Sequence, residues 1–183
     1  MSTFRKSECY IIERITGLSH FDDIKWAAQA LSTDPNQYVL NNFLIEGSKA
    51  VCTDGRRLHV VTNTFFDIVE DGMYEILKSS NKIIVLAKST FEGSFPNYKQ
   101  VIPPIGPDTT KFEVHTAQDS VRSVGEVIFK LGKNDAALLH IPYVRNIFSF
   151  KSDTVTVHVT DGLSPVLFTD RDRLALIMAL RID

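Results

Sequence analysis

The run Thr154-Val155-Thr156-Val157-His158-Val159-Thr160 alternates strictly between polar and apolar residues. That period places the three valines on one face of a half-buried β-strand and turns His158 outward. A different period governs residues 20–32. Phe21, Ile24, Ala28 and Leu31 recur at helical spacing with Trp26 beside them, and Ser19 with Asp22 three residues on has the form of a capped helix start. Thr33-Asp34-Pro35-Asn36 ends the pattern, because proline cannot continue a helix. Strand patterns follow at 38–40 and 43–46, then a Gly47-Ser48 turn, then 50–52. Asp54-Gly55 separates that run from 57–61, and an Asp-Gly pair between two β-prone runs predicts a tight hairpin. Runs at 73–77 and 82–86 on either side of Ser79-Ser80-Asn81 predict another hairpin.

Residues 93–110 hold Pro96, Pro103, Pro104 and Pro107, four of the seven prolines, which favours an extended connector. The expected division is a first module at 1–95, a proline-rich connector at 96–110 and a second module at 111–183. Beyond the connector, 112–115 and 126–130 read as strands, and Pro142 opens a short helix at 143–150 with Val144, Ile147 and Phe148 on its apolar face. Asp161-Gly162 makes a turn, and strands at 165–169 and 174–178 complete a meander. Each half therefore reads as one helix with a run of antiparallel strands and an Asp-Gly hairpin. The fold class is α+β, built as a duplicated module.

Composition narrows the function classes. Of 183 residues 44% are hydrophobic and 23% charged, enough apolar material for a sizeable core. A formal net charge of -2 argues against bulk electrostatic coating of nucleic acid but allows a local basic surface. Cys9 and Cys52 sit in apolar, strand-like runs and read as reduced core thiols. Residues 1–8 lack the apolar stretch of a signal peptide, and no run approaches the ~20 residues of a membrane span. A soluble, cytoplasmic protein is expected. The five histidines are scattered, and no nucleophile-elbow, phosphate-loop or dinucleotide motif occurs. Asp22-Asp23 opens a helix, where negative charge suits the dipole, and Asp170-Arg171-Asp172-Arg173 alternates in sign at a turn. Both read as solvated surface, so no enzyme, metal or cofactor is expected, and a small enzyme built on residues 170–173 ranks last.

Three segments taken in order carry a resemblance. They are Thr53-Asp54-Gly55-Arg56-Arg57-Leu58, Phe95-Pro96-Asn97-Tyr98-Lys99-Gln100-Val101-Ile102-Pro103, and Leu174-Ala175-Leu176-Ile177-Met178-Ala179-Leu180-Arg181-Ile182-Asp183. Together they resemble the T-D-G-H-R-L turn, the interdomain crossover and the M-P-M-R-L-type terminus of the bacterial sliding clamp, the β subunit of DNA polymerase III. Arg56 stands where that family has histidine, Asn97 where Asp is common, Gln100 where a basic residue is frequent, and Ala179 where it has proline. The chain resembles a shortened clamp relative with a DNA-clamp-like arrangement of antiparallel sheets and one helix per half.

The resemblance implies a non-enzymatic replication processivity factor that holds duplex DNA without reading sequence and docks polymerase- or clamp-loader-type proteins. It carries a hydrophobic peptide groove onto Thr53, Arg57, Leu58, Pro96, Val101, Leu176, Met178 and Leu180. Strand periodicity alone favours reading Leu58, Val101, Leu176, Met178 and Leu180 as core. The same resemblance makes the helices the DNA-facing elements, with Lys25, Arg145 and Lys151 as phosphate contacts. It also implies a homo-oligomer with no membrane association. The competing expectation is a clamp-like adaptor or decoy that binds partner peptides without encircling DNA.

Overall fold

The computed structural model describes residues 9–16, 18–63, 66, 69–116, 120–133, 137–149 and 154–181. Among the described residues it contains ten strands and three α-helices, an antiparallel α+β fold. The chain divides into two compact units: Met1–Gly55 with Val60–Pro96, and Arg56–His59 with Asn97–Asp183. The assignment of Arg56–His59 to the second unit is not visible in local pattern, because it is made by pairing across more than a hundred residues of sequence.

In the first unit β1 (Cys9–Glu13), β2 (Phe43–Glu46), β3 (Lys49–Thr53), β5 (Gly72–Ser79) and β6 (Ile83–Lys88) join β4 (Arg57–Thr62) in the order β1-β6-β5-β2-β3-β4. Helix α1 (His20–Ala28) packs on β3 and buries Phe21, Ile24, Trp26 and Ala27. Ser19 precedes α1 as expected but makes no side-chain cap. Its hydroxyl instead accepts a hydrogen bond from Asn63 Nδ2 at 3.1 Å, and the same amide donates to the buried Asp23 carboxylate at 2.8 Å. The helix ends four residues before the expected 32, where Ala30 and Leu31 donate to Ala27 and Ala28 in a tightened last turn. Residues 38–40, expected as strand, are turns: Leu40 and Asn41 both donate to the Gln37 carbonyl.

The expected hairpin forms between β3 and β4. Gly55 takes φ +84°, a conformation that L side chains rarely adopt, and its N–H donates to Thr53 Oγ1 at 3.1 Å. Residues 58–61 are then buried without interruption, so this strand is covered on both faces.

In the second unit Arg56–His59 lies beside β10 (Arg173–Ile177), followed by β9 (Val166–Asp170), β8 (Thr154–Val159) and β7 (Thr110–His115). Val155, Val157 and Val159 are buried as the alternation required, and Val157 pairs with Phe168, which pairs with Ala175. Two helices serve this unit, α2 (Ser120–Lys133) and α3 (Ile141–Ile147), where one was expected. The strand expected at 126–130 is the middle of α2. Its five residues are too few to separate the two periods. Over the full length the buried set Ser123, Val124, Val127 and Leu131 is helical, and Glu126 bridges Lys130 at 2.7 Å one turn on. Inside the connector, Tyr98–Val101 forms a short 3-10 turn that buries Tyr98. Cys9 and Cys52 are free thiols, and burial pushes the Cys52 thiol well above its usual value. Among the described residues no helix is long and apolar enough to cross a membrane.

His158, on the opposite face of β8 from the valines, is half-buried with Nε2 3.0 Å from Thr169 Oγ1. Its Nδ1 is buried with no hydrogen-bond partner among the described residues. Desolvation first, and then the charge of Lys111 on β7, lower its pKa from the usual 6.5. Between that lowered value and 6.5 the unfolded chain binds more protons than the folded one. The contribution is therefore complete above pH 6.5 and is lost as the pH falls below it. His158→Gln keeps a partner for Thr169 and removes the titration, so melting temperature should fall less steeply from pH about 7 to about 5 than in the parent. Identical slopes would contradict this.

Candidate functional site

Beyond Ile177 the chain stays extended. The Met178 N–H donates to the Arg56 carbonyl at 2.9 Å and the Leu180 N–H to the Leu138 carbonyl at 2.8 Å. Residues two apart on an extended segment share a face, so Met178 and Leu180 project together. They are 42% and 48% exposed, directly after the fully covered run Ala175-Leu176-Ile177. Leu138 and Ile141, at the entrance to α3, are also large, apolar and exposed. The result is an apolar rim on the second unit, anchored by main-chain hydrogen bonds rather than by its own side chains.

Arg57 ties the start of β4 to α3. Its guanidinium carbon lies 4.2 Å from the centre of the Tyr143 ring. Asn146, with its amide oriented to satisfy both ends, accepts from Arg57 Nη1 at 2.6 Å and donates to the Pro142 carbonyl at 3.3 Å. His140 packs against Tyr143 with ring centres 4.4 Å apart. Pro142 sits in the first turn of α3, where a missing N–H costs nothing.

The residues singled out from sequence fall into three groups. Arg57, Leu58, Leu176, Met178 and Leu180 come together on β4, β10 and the segment after it. Within this set Leu58 and Leu176 are both 2% exposed and form the floor, whereas Met178 and Leu180 are open. Val101, also in the second unit, is exposed at the end of the 3-10 turn. Thr53 and Pro96 belong to the first unit, Thr53 serving the Gly55 turn and Pro96 lying exposed at the unit's last position. Sequence reasoning missed Tyr143, Asn146, Leu138 and Ile141. It read α3 for its buried face, and Tyr143 and Asn146 lie off that face.

Of the cations assigned to DNA, Lys25 lies in the last turn of α1, its Nζ 3.3 Å from Asn81 Oδ1 and 5.4 Å from the Phe21 ring centre. Arg145 is exposed in the last turn of α3, and Lys151 lies outside the described residues. Among the described residues no group of three or more His, Cys, Asp or Glu side chains is placed to hold a metal ion.

The Arg57 stack sets the expected effect of changing it. A cation over an aromatic face contributes about 0.5–1 kcal/mol at a partly exposed site. Arg57→Ala should lower the stability of the second unit by about that amount plus the lost Asn146 bond, roughly 1–2 kcal/mol together. Arg57→Lys should recover little, because an ammonium neither stacks as a plane nor reaches Asn146 in the same geometry. Full rescue by lysine in thermal denaturation would show that charge alone matters.

No protein-family model matches the sequence, and no curated protein matches it. Solved structures do. The β subunit of DNA polymerase III from Thermotoga maritima is 13% identical at a TM-score of 0.63, covering 100% of this chain and 68% of that one. The β chain from Streptococcus pneumoniae is 16% identical at 0.62, covering 100% and 67%. The β protein from Caulobacter crescentus is 15% identical at 0.63, covering 99% and 68%. At these identities the likeness speaks to architecture: the chain has the fold of the DNA polymerase III β subunit, the sliding clamp.

Proposed function

We propose that this chain is a sliding-clamp-like processivity and docking factor. It holds duplex DNA without reading its sequence and receives polymerase- or clamp-loader-type proteins in an apolar groove. The observation that carries the reading is the open pair Met178 and Leu180, held against Arg56 and Leu138 at the positions where the sequence resembles the clamp's peptide pocket. Methionine and leucine on a rigid support accept apolar anchors of varied shape. No catalytic role is assigned to any residue.

For DNA the candidate contacts remain Lys25, Arg145 and Lys151. So few cations give weak affinity, and retention then depends on enclosure more than on contact. Charge reversal at all three should abolish retention on circular DNA at low salt. Retention equal to the parent's would overturn the assignment.

Enclosure by so short a chain requires more than one copy. Strand β1 ends the strand order in the first unit and β7 in the second, and unpaired strand edges invite pairing with another chain. Apolar side chains accompany both: Ile11 on β1, and Val121 and Phe129 on the outward face of α2, which packs on β7. Joining unlike edges head to tail closes a ring when the rotation permits. Light scattering at micromolar concentration should give the mass of three or more chains. The adaptor reading needs no enclosure, and the exposed positions of α2 mix Val121 and Phe129 with Arg122 and Lys133. A monomer mass at every concentration would favour that reading.

A further inference from the structure

Between the 3-10 turn at Tyr98–Val101 and strand β7 runs Ile102-Pro103-Pro104-Ile105-Gly106-Pro107, in neither helix nor strand. Local sterics leave its backbone little choice. The three proline rings fix φ at about −65°. Ile102, Pro103 and Gly106 each precede a proline, which drives them from helical to extended backbone. Ile105 is β-branched, with the same preference. Ile102 accordingly has φ −77° and ψ 113°, Gly106 stays out of the left-handed region, and among the described residues no peptide bond is cis. These restraints describe a polyproline II segment, a threefold helix without internal hydrogen bonds.

Both ends of the segment are fixed. The buried Tyr98 anchors its start. At its end the Gly106 N–H donates to Thr109 Oγ1 at 3.0 Å and the Thr109 N–H to the Gly106 carbonyl at 3.1 Å, a turn with Pro107 where proline is favoured. What lies between is open. Pro104, Ile105, Gly106 and Pro107 are exposed, Ile105 at 59%, and a Cβ added at Gly106 would meet nothing within 4 Å. Among the described residues the carbonyls of 102–105 accept no main-chain hydrogen bond. Residues three apart share a ridge of a threefold helix, so Pro104 and Pro107 form one ridge beside the open Ile105. Stiffening a connector needs the prolines but not the exposed isoleucine.

We propose that residues 102–107 are themselves a docking ligand, a preformed polyproline II segment read by a partner domain with an aromatic-lined groove. Aromatic rings of the partner cover the Pro104–Pro107 ridge and Ile105, and its indole or phenol groups donate to the open carbonyls. Because the backbone is ordered before binding, little conformational entropy is lost when the complex forms. This goes beyond the clamp reading and depends on neither the Met178–Leu180 rim, DNA nor ring closure.

The test titrates the isotope-labelled full-length chain with purified SH3, WW and EVH1 domains, the amides of Ile102, Ile105 and Gly106 serving as reporters by NMR. At least one of these domains should shift the three amides saturably and leave those of Met178 and Leu180 in place. The double variant Pro104→Ala with Pro107→Ala should weaken that binding about tenfold or more. Its melting temperature should fall by only a few degrees, because both rings are exposed and act mainly on the unfolded chain. Ile105→Asp should weaken the same binding at the parent melting temperature. Saturable binding by none of the three domains would overturn the proposal. So would binding to the proline double variant as tight as to the parent, which would leave the prolines as stiffeners of the connector. Shifts centred on Met178 and Leu180 would also overturn it and would leave the docking reading above intact.

Discussion

Strand β10 lies against Arg56–His59, and the second unit's site depends on that pairing. The four residues come from the first half of the chain, immediately after the Gly55 turn, yet they pack with residues beyond 97. One hydrogen bond past the regular strand, from Met178 to Arg56, keeps the backbone extended where the side chains have already left the core. The next, from Leu180 to Leu138, fixes the same segment beside the entrance to α3. Arg57 completes the arrangement by stacking on Tyr143 and bonding Asn146, so strand and helix hold the rim from either side. An exposed apolar pair needs such support, because open methionine and leucine side chains contribute little to their own order.

Much of this was legible in the sequence where a period was long enough to be unambiguous. Residues 154–160 gave a strand with the correct buried face, and the period over 20–32 gave a helix, of which His20–Ala28 forms. The Asp54-Gly55 pair gave a hairpin, because only a residue free of a Cβ takes φ +84° without strain. Local reading failed where the signal was short or the partner distant. Residues 126–130 carry three consecutive apolar positions, which satisfy strand and helix equally, and only the buried Ser123, Val124 and Leu131 outside that window decide for α2. Ser19 looked like a cap, but its hydroxyl is engaged by Asn63. The same limit applies to the site: the turn and the chain end were picked out by their motifs, while Tyr143 and Asn146 became visible only when β4 was seen beside α3.

The two ends of the second unit's sheet differ in kind. Beside β4 and β10 the open side chains Met178 and Leu180 form an apolar rim. At β7 the helix above the edge presents Val121 and Phe129, 65% and 70% exposed, while Lys130 reaches across to the Glu113 carbonyl at 2.8 Å. That lysine occupies one main-chain carbonyl of the end strand.

The central claim, that β10 and its extension are secured to Arg56 and Leu138 and so hold an apolar pair open, is tested most directly by amide hydrogen exchange at Met178 and Leu180. If the account is right, both amides are protected at a level approaching that of Ala175 and Ile177 despite their exposed side chains. Exchange of both at the rate of an unstructured chain, with β10 itself protected, would contradict it.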